Sequence, residues 1–159
     1  MDEFLEEVSR EEWGALPPKS TEDIILPIWY IRFQFTGPDI ICHNREECIP
    51  LLRKMQKEHM EELGLPDIKY NFLISTDGVV YECRGWKHDA YDPIKHHDLW
   101  KNHFINIGFF GDYRKKAPLP MKAERAGLTL YFRMQEMKMV ASEVVPIYFT
   151  VGNKDFSFY

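Results

Sequence analysis

Histidine, cysteine and arginine are the residues through which this chain could do chemistry, and they are unevenly spread. Four of its six histidines, His88, His96, His97 and His103, fall within residues 86–103, a polar, Asp-containing stretch with neither helical nor strand periodicity. Long loops of this kind in compact domains are disproportionately functional. Imidazole is a preferred donor for Zn2+, so the cluster raises a metal reading. Its spacings fit no zinc pattern and no cysteine accompanies it, so solvated loop histidines are expected instead. Of the three cysteines, Cys42 and Cys48 bracket a short loop that either a disulfide closes or two reduced thiols occupy, and Cys83 stands alone. His59, on a predicted helix, reads as a packing or surface histidine. Arg84 reads either as a surface charge beside Glu82 or as a guanidinium able to clamp a carboxylate. Tyr70 and Trp86 offer an apolar ring with a polar handle.

These side chains need elements to hold them. Residues 24–35 form a near-continuous β-branched and aromatic run, expected as a buried strand and ended by Gly37-Pro38. From Asn44 to Leu63 apolar residues recur at Ile49, Leu52, Met55, Met60 and Leu63, which predicts a helix. Asn44 and Glu47 are spaced as a capping box, and Pro50 must lie near the first turn. Residues 70–82 predict a β-hairpin about Asp77-Gly78. Residues 105–111 and 146–151 predict two further strands, and residues 120–138 an amphipathic helix with Met134, Met137 and Met139 as core filling. The expected organisation is a tail at 1–7 followed by one domain over 8–159, with an irregular arm from Val8 to Pro18. Strands interleaved with helices and one hairpin imply an α/β fold with a central mixed β-sheet flanked by helices.

The bulk composition narrows the partners. With 159 residues, 45% of them hydrophobic, there is material for one packed core. Net charge is −5 and no basic block is clustered enough to track a phosphate backbone, which argues against nucleic acid and anionic membranes. No apolar run approaches the roughly 20 residues needed to cross a bilayer. The acidic start, Met1-Asp2-Glu3-Phe4, does not read as a signal peptide.

Several segments taken together resemble the peptidoglycan recognition proteins, which are similar to phage-type N-acetylmuramoyl-L-alanine amidases. They are Val8-Ser9-Arg10-Glu11-Glu12-Trp13-Gly14-Ala15, the Cys42/Cys48 loop, Gln56-x-x-His59-Met60, Asp67-Ile68-Lys69-Tyr70-Asn71-Phe72-Leu73-Ile74, Asp77-Gly78-Val79-Val80-Tyr81-Glu82-x-Arg84-Gly85-Trp86, and Ile107-Gly108-Phe109-Phe110-Gly111. The resemblance covers residues 8–111 and fades beyond. It implies a mixed sheet with surrounding helices, a groove for the muramyl peptide of bacterial cell walls, a Cys42–Cys48 disulfide, and an extracellular setting, secreted or as the ectodomain of a membrane protein.

Amidases of the family hold one zinc with two histidines and a cysteine, leaving a position for the attacking water. Here the resemblance puts Gln34 at the first histidine and Asn153 at the second, and no counterpart of the cysteine precedes Tyr159. On this reading no metal or other cofactor is expected, and no hydrolysis by this route. Thr36, His59, Gly64, Tyr70 and Arg84 match positions that contact the muramyl peptide, and Arg84 implies a preference for diaminopimelate-type stems. Leu63, Leu65 and Asp92 stand where the family has an arginine, a tryptophan and a histidine, which implies weaker binding. Three functions are expected in descending order: a non-catalytic recognition domain of innate immunity, a regulatory or decoy domain pairing with another recognition protein or a second copy of itself, and an active zinc amidase.

Overall fold

The structure, a computed structural model, describes residues 5–113 and 118–141 and the backbone of residues 147–151. In chain order the elements are β1 (Glu7–Val8), α1 (Arg10–Trp13), β2 (Tyr30–Phe35), α2 (Arg45–Glu61), β3 (Phe72–Ile74), β4 (Val80–Glu82), a 3-10 turn (Asp98–Trp100), β5 (Phe104–Phe109), α3 (Met121–Glu136) and β6 (Ile147–Val151). The strands form one sheet in the order β1-β4-β3-β5-β2-β6. The β3–β4 hairpin is antiparallel and every other pairing parallel, so the sheet is mixed. The α/β fold class with helices flanking a central mixed sheet is as expected.

Strand alternation decides what each face of the sheet carries. Ile31, Phe33 and Phe35 of β2, Phe72 and Ile74 of β3, and Ile105, Ile107 and Phe109 of β5 form one apolar cluster with Ala123, Ala126, Leu130 and Met134 of α3. The opposite face is split. Its β3–β4 half, with Leu73 and Tyr81, packs with Leu52 and Met55 of α2 and with Trp13. Its β5–β2 half presents buried Arg32, Gln34 and Asn106. That polar half is the floor of the site described below.

Several boundaries differ from expectation. Residues 24–29 lie outside β2, where a cis peptide joins Leu26 to Pro27. Proline has no N–H for a ladder, so the strand begins after it. The supposed irregular arm holds β1 and α1. Ser9 and Glu12 make a complete capping box there, and Trp13 is fully buried with Nε1–H donating to Glu82 O at 2.7 Å. Residues 5–7 are tied to the sheet rather than free of it: Leu5 packs on the core and Glu7 pairs with Val80. At α2, Asn44 does accept the Glu47 N–H, but the Glu47 carboxylate takes the His43 N–H, leaving the expected box half formed. Pro50 lies inside α2, beyond its first turn. The methionine stripe also divides: Met134 is buried and Met137 half exposed. Cys42 and Cys48 are joined by a disulfide, and Cys83 is a buried thiol that burial pushes well above its ordinary pKa.

Candidate functional site

Between the polar half of the sheet, the segment leaving α2 and the loop at 86–103 lies a small groove of about 80 Å3. Its floor is a side-chain network that follows from register. Arg32 and Asn106 are paired residues of β2 and β5, so their side chains rise side by side. Arg32 Nε donates to Asn106 Oδ1 at 3.2 Å and Arg32 Nη2 to Gln34 Oε1 at 3.2 Å. Asn106 Nδ2 donates to Lys69 O at 3.2 Å and reaches Gln34 Oε1 at 3.4 Å. The guanidinium also lies 5.5 Å from the Phe104 ring and 6.0 Å from Trp100. Cation–π contact of this kind offsets part of the cost of burying charge.

The wall is built from main-chain acceptors. Arg84, 8% exposed, donates from Nε to Ile68 O at 2.6 Å, from Nη1 to Asp89 O at 2.8 Å and from Nη2 to Asp67 O at 3.3 Å. One side chain thereby ties the 86–103 loop to the segment entering β3. Burial lowers its pKa from the ordinary arginine value, with Asp67 and Asp89 opposing the shift. Asp67 is the neighbouring node. Its carboxylate accepts from Arg10 Nη1 at 2.7 Å, Gln56 Nε2 at 3.0 Å and Ile68 N at 2.7 Å.

The residues expected at the site are distributed as follows. Arg84 lines the groove, with three of its nitrogens already donating to backbone. His59, in the last turn of α2, accepts the Lys69 N–H on Nδ1 at 3.2 Å. Burial, then Lys69 and Arg84, push its pKa down to about 3, so it is a neutral imidazole with its proton on Nε2. Tyr70 is 1% exposed, its ring beside His59 with centroids 6.3 Å apart, and burial raises its pKa. Gly108 leaves the room that ring uses, since a Cβ there would stand 2.8 Å from Tyr70 Cε1. Gly64 is exposed at φ +70° after α2, between the groove residues Leu63 and Leu65. Thr36 is buried, its hydroxyl donating to Ile40 O at 2.7 Å and accepting from Gly111 N at 3.0 Å. That hydroxyl shapes the β2 and β5 ends. Asn153 lies outside the described residues.

Arg32, Asn106 and His96 were not singled out from the sequence as site residues. A signal existed for the first: Arg32 and Gln34 alternate with Ile31, Phe33 and Phe35 at the strand period, marking a polar face. The loop histidines scatter. His88 Nδ1 lies 3.4 Å from Asp23 Oδ1, His97 Nδ1 accepts the Leu99 N–H, and His103 Nδ1 is 3.0 Å from Pro27 O. His96 alone lines the groove. Its Nδ1 accepts the Asp92 N–H at 2.8 Å, its ring packs 4.8 Å from Phe104 and 5.2 Å from Trp100, and Nε2–H is left as the donor. Asp92 itself shares the groove wall, so an imidazole enters it four residues further along.

The fold family's zinc does not fit the described floor. Gln34 Oε1 is a neutral amide oxygen already receiving Arg32 and Asn106, and a guanidinium 3.2 Å from it repels a dication. Among the described residues no group of three or more His, Cys, Asp or Glu converges to hold a metal ion. What the groove does offer is an array of donors and cations suited to an acceptor-rich ligand.

This fold with this groove is that of a recognition domain related to amidases. The chain is 38% identical over 125 residues to Peptidoglycan recognition protein 1 of Rattus norvegicus, covering 77% of this chain and 64% of that protein. Among solved structures it resembles bumblebee PGRP-SA, with TM-score 0.79 and 30% identity over 91% of this chain and 83% of that one. It also resembles human PGRP-IBETAC in complex with glycosamyl muramyl pentapeptide, with TM-score 0.79 and 25% identity over 89% of this chain and 82% of that one. No family model matches the chain. It belongs to the peptidoglycan recognition protein family. It spans 55–65% of the length of the curated relatives it matches.

Proposed function

We propose that this chain is a single extracellular recognition domain of innate immunity that binds a muramyl-peptide fragment in the groove and does not cleave it. The observation that carries the non-catalytic half is the floor itself. Where the resemblance puts a zinc histidine, Gln34 is hydrogen-bonded by a buried guanidinium, and neither group can activate a water. Recognition is supported by family membership and by a groove lined by Arg84, with the buried Tyr70 and His59 packed together beside the entry to β3. The complex of the human relative with a glycosamyl muramyl pentapeptide supports the ligand class. The disulfide supports an oxidising compartment.

Calorimetric titration with diaminopimelate-type muramyl tripeptide, with and without zinc, tests this reading. Binding heat with an intact ligand afterwards is expected. Zinc retained by the protein together with released stem peptide would restore the amidase. No heat at millimolar ligand would remove recognition. A second reading would then stand, pairing with another recognition protein or a second copy, and the exposed Leu63 and Ile94 at the groove rim favour it.

A further inference from the structure

The groove as it stands is too small for a muramyl peptide. Its volume is about 80 Å3, whereas sites that enclose drug-sized ligands run to roughly 300–1,000 Å3. A wall must therefore move, and the walls differ in how they are held. The floor is strand ladder, and the Arg84 side is bonded to backbone carbonyls. The segment leaving α2 is bonded back to that helix through the Leu63 and Leu65 N–H groups. Ala90, Asp92, Ile94, Lys95 and His96 make the remaining wall, and all of them belong to one loop.

That loop is bonded to itself. Among the described residues, every hydrogen bond made by residues 90–101 finds its partner within residues 89–103. Ring contacts hold it to the body: His96 and Trp100 each stand 4.8 Å from Phe104 between centroids, and Trp100 also meets Tyr30 and the Arg32 guanidinium. Its two ends are fixed in the opposite manner. Asp89 is buried, its N–H donating to Glu22 O at 2.7 Å and its carbonyl accepting from Arg84 Nη1 at 2.8 Å. Asn102 donates from Nδ2 to Asp23 O and accepts the Ile25 N–H. The ends also hold each other, since Asp89 Oδ2 accepts the Asn102 N–H at 2.6 Å while Oδ1 accepts the Tyr91 N–H at 3.2 Å. Asn102 sits at φ +68°, a left-handed conformation that asparagine tolerates better than most residues. A loop whose ends are pinned together and whose interior is bonded to itself is an Ω-loop, able to leave the body without unravelling.

Building on the recognition reading above, we propose that residues 90–101 swing as one unit about the Asp89–Asn102 neck to admit the muramyl peptide, and that Asp89 is the positioning residue that sets the closed groove. Entry lifts the His96 and Trp100 rings from Phe104, and their return closes the wall over the ligand.

Amide hydrogen exchange on the whole chain tests the swing without ligand. The bonded amides of Ile94 to His96 and Leu99 to Lys101 should share one protection factor, about tenfold or more below that of Phe104–Phe109. Asp89→Ala should speed the loop amides about tenfold further, the loss of hydrogen bonding to a charged acceptor, and leave β5 unchanged. Asp89→Asn keeps one acceptor oxygen and should give a smaller gain. In stopped-flow binding of diaminopimelate-type muramyl tripeptide, Asp89→Ala should raise the association rate by up to about tenfold, in step with the exchange gain, and the dissociation rate by more. A residue that only stabilised the fold would weaken affinity with association unchanged. Should Asp89→Ala not fold, wild-type exchange still decides: loop amides that open only together with Phe104–Phe109 overturn the swing. An association rate that Asp89→Asn and Asp89→Ala both leave unchanged overturns the role of Asp89. Absence of any binding overturns recognition and the admission of this ligand, with the swing itself judged by exchange.

Discussion

Arg32 and Arg84 are both buried guanidiniums of the same groove, yet they are held by different kinds of acceptor. Arg84 meets three backbone carbonyls, of Asp67, Ile68 and Asp89, which exist whatever the side chains are and cannot turn away. Among the described residues Arg32 meets Asn106 Oδ1 and Gln34 Oε1, side-chain groups that also bond one another. Removing Arg84 strands buried carbonyls, whereas removing Arg32 leaves a network able to close up. One arginine holds the fold together and the other equips the floor.

The largest effect that this contrast predicts is on stability. Arg84→Ala should cost about 3–5 kcal/mol by urea unfolding, because it leaves three buried carbonyl acceptors unpaired and removes a favourable charge near Asp67 and Asp89. Arg84→Lys should recover little, since an ammonium cannot span the same three carbonyls. Arg32→Met should cost only about 1–2 kcal/mol, as relief of a buried charge offsets most of the lost hydrogen bonding. If the two costs prove equal, the distinction between backbone and side-chain acceptors fails.

How much of this could be read from the chain alone depends on whether the signal is local. The hairpin about Gly78, the α2 periodicity and the Asn44 cap are local, and all were legible. The half-formed box at α2 turned on which N–H Glu47 would reach, His43 rather than Asn44, a choice set by the incoming chain path. β1 escaped notice because a strand of two residues has no period; it exists through its pairing with β4, seventy-odd positions away. The Arg32–Asn106 pair needed the β2–β5 register, which no spacing in the chain reveals. His96 was hidden by its company: four histidines in one loop suggested a shared role, and only the fold turns one of them into the groove.

The next effect in size separates wall from floor by pH. His59 and His96 both have folded pKa values pushed down to about 3, against an ordinary 6.5. Between those values the unfolded chain binds protons that the folded one does not, so stability is full above about 6.5 and declines as pH falls. Each histidine should cost about 2 kcal/mol between pH 6.5 and 5. His59→Gln and His96→Gln should each remove its share of the slope in pH-dependent denaturation. A protein whose slope does not respond to either variant would show that these rings are charged in the fold.

The smallest effect lies on the far side of the sheet. Arg133 of α3 reaches Glu7 of β1 at 3.3 Å, with both side chains more than a third exposed. Water and salt screen such a pair, and holding two long side chains in place costs entropy, so Arg133→Ala should change stability by less than about 1 kcal/mol. The variant removes a cation from the helix that covers the other face of the sheet, and it changes net charge by the same unit as Arg32→Gln. Calorimetry on this variant should therefore give unaltered affinity for the muramyl peptide. A loss of affinity here as large as that from Arg32→Gln would mean that binding follows overall charge, and the floor of the groove would no longer explain it.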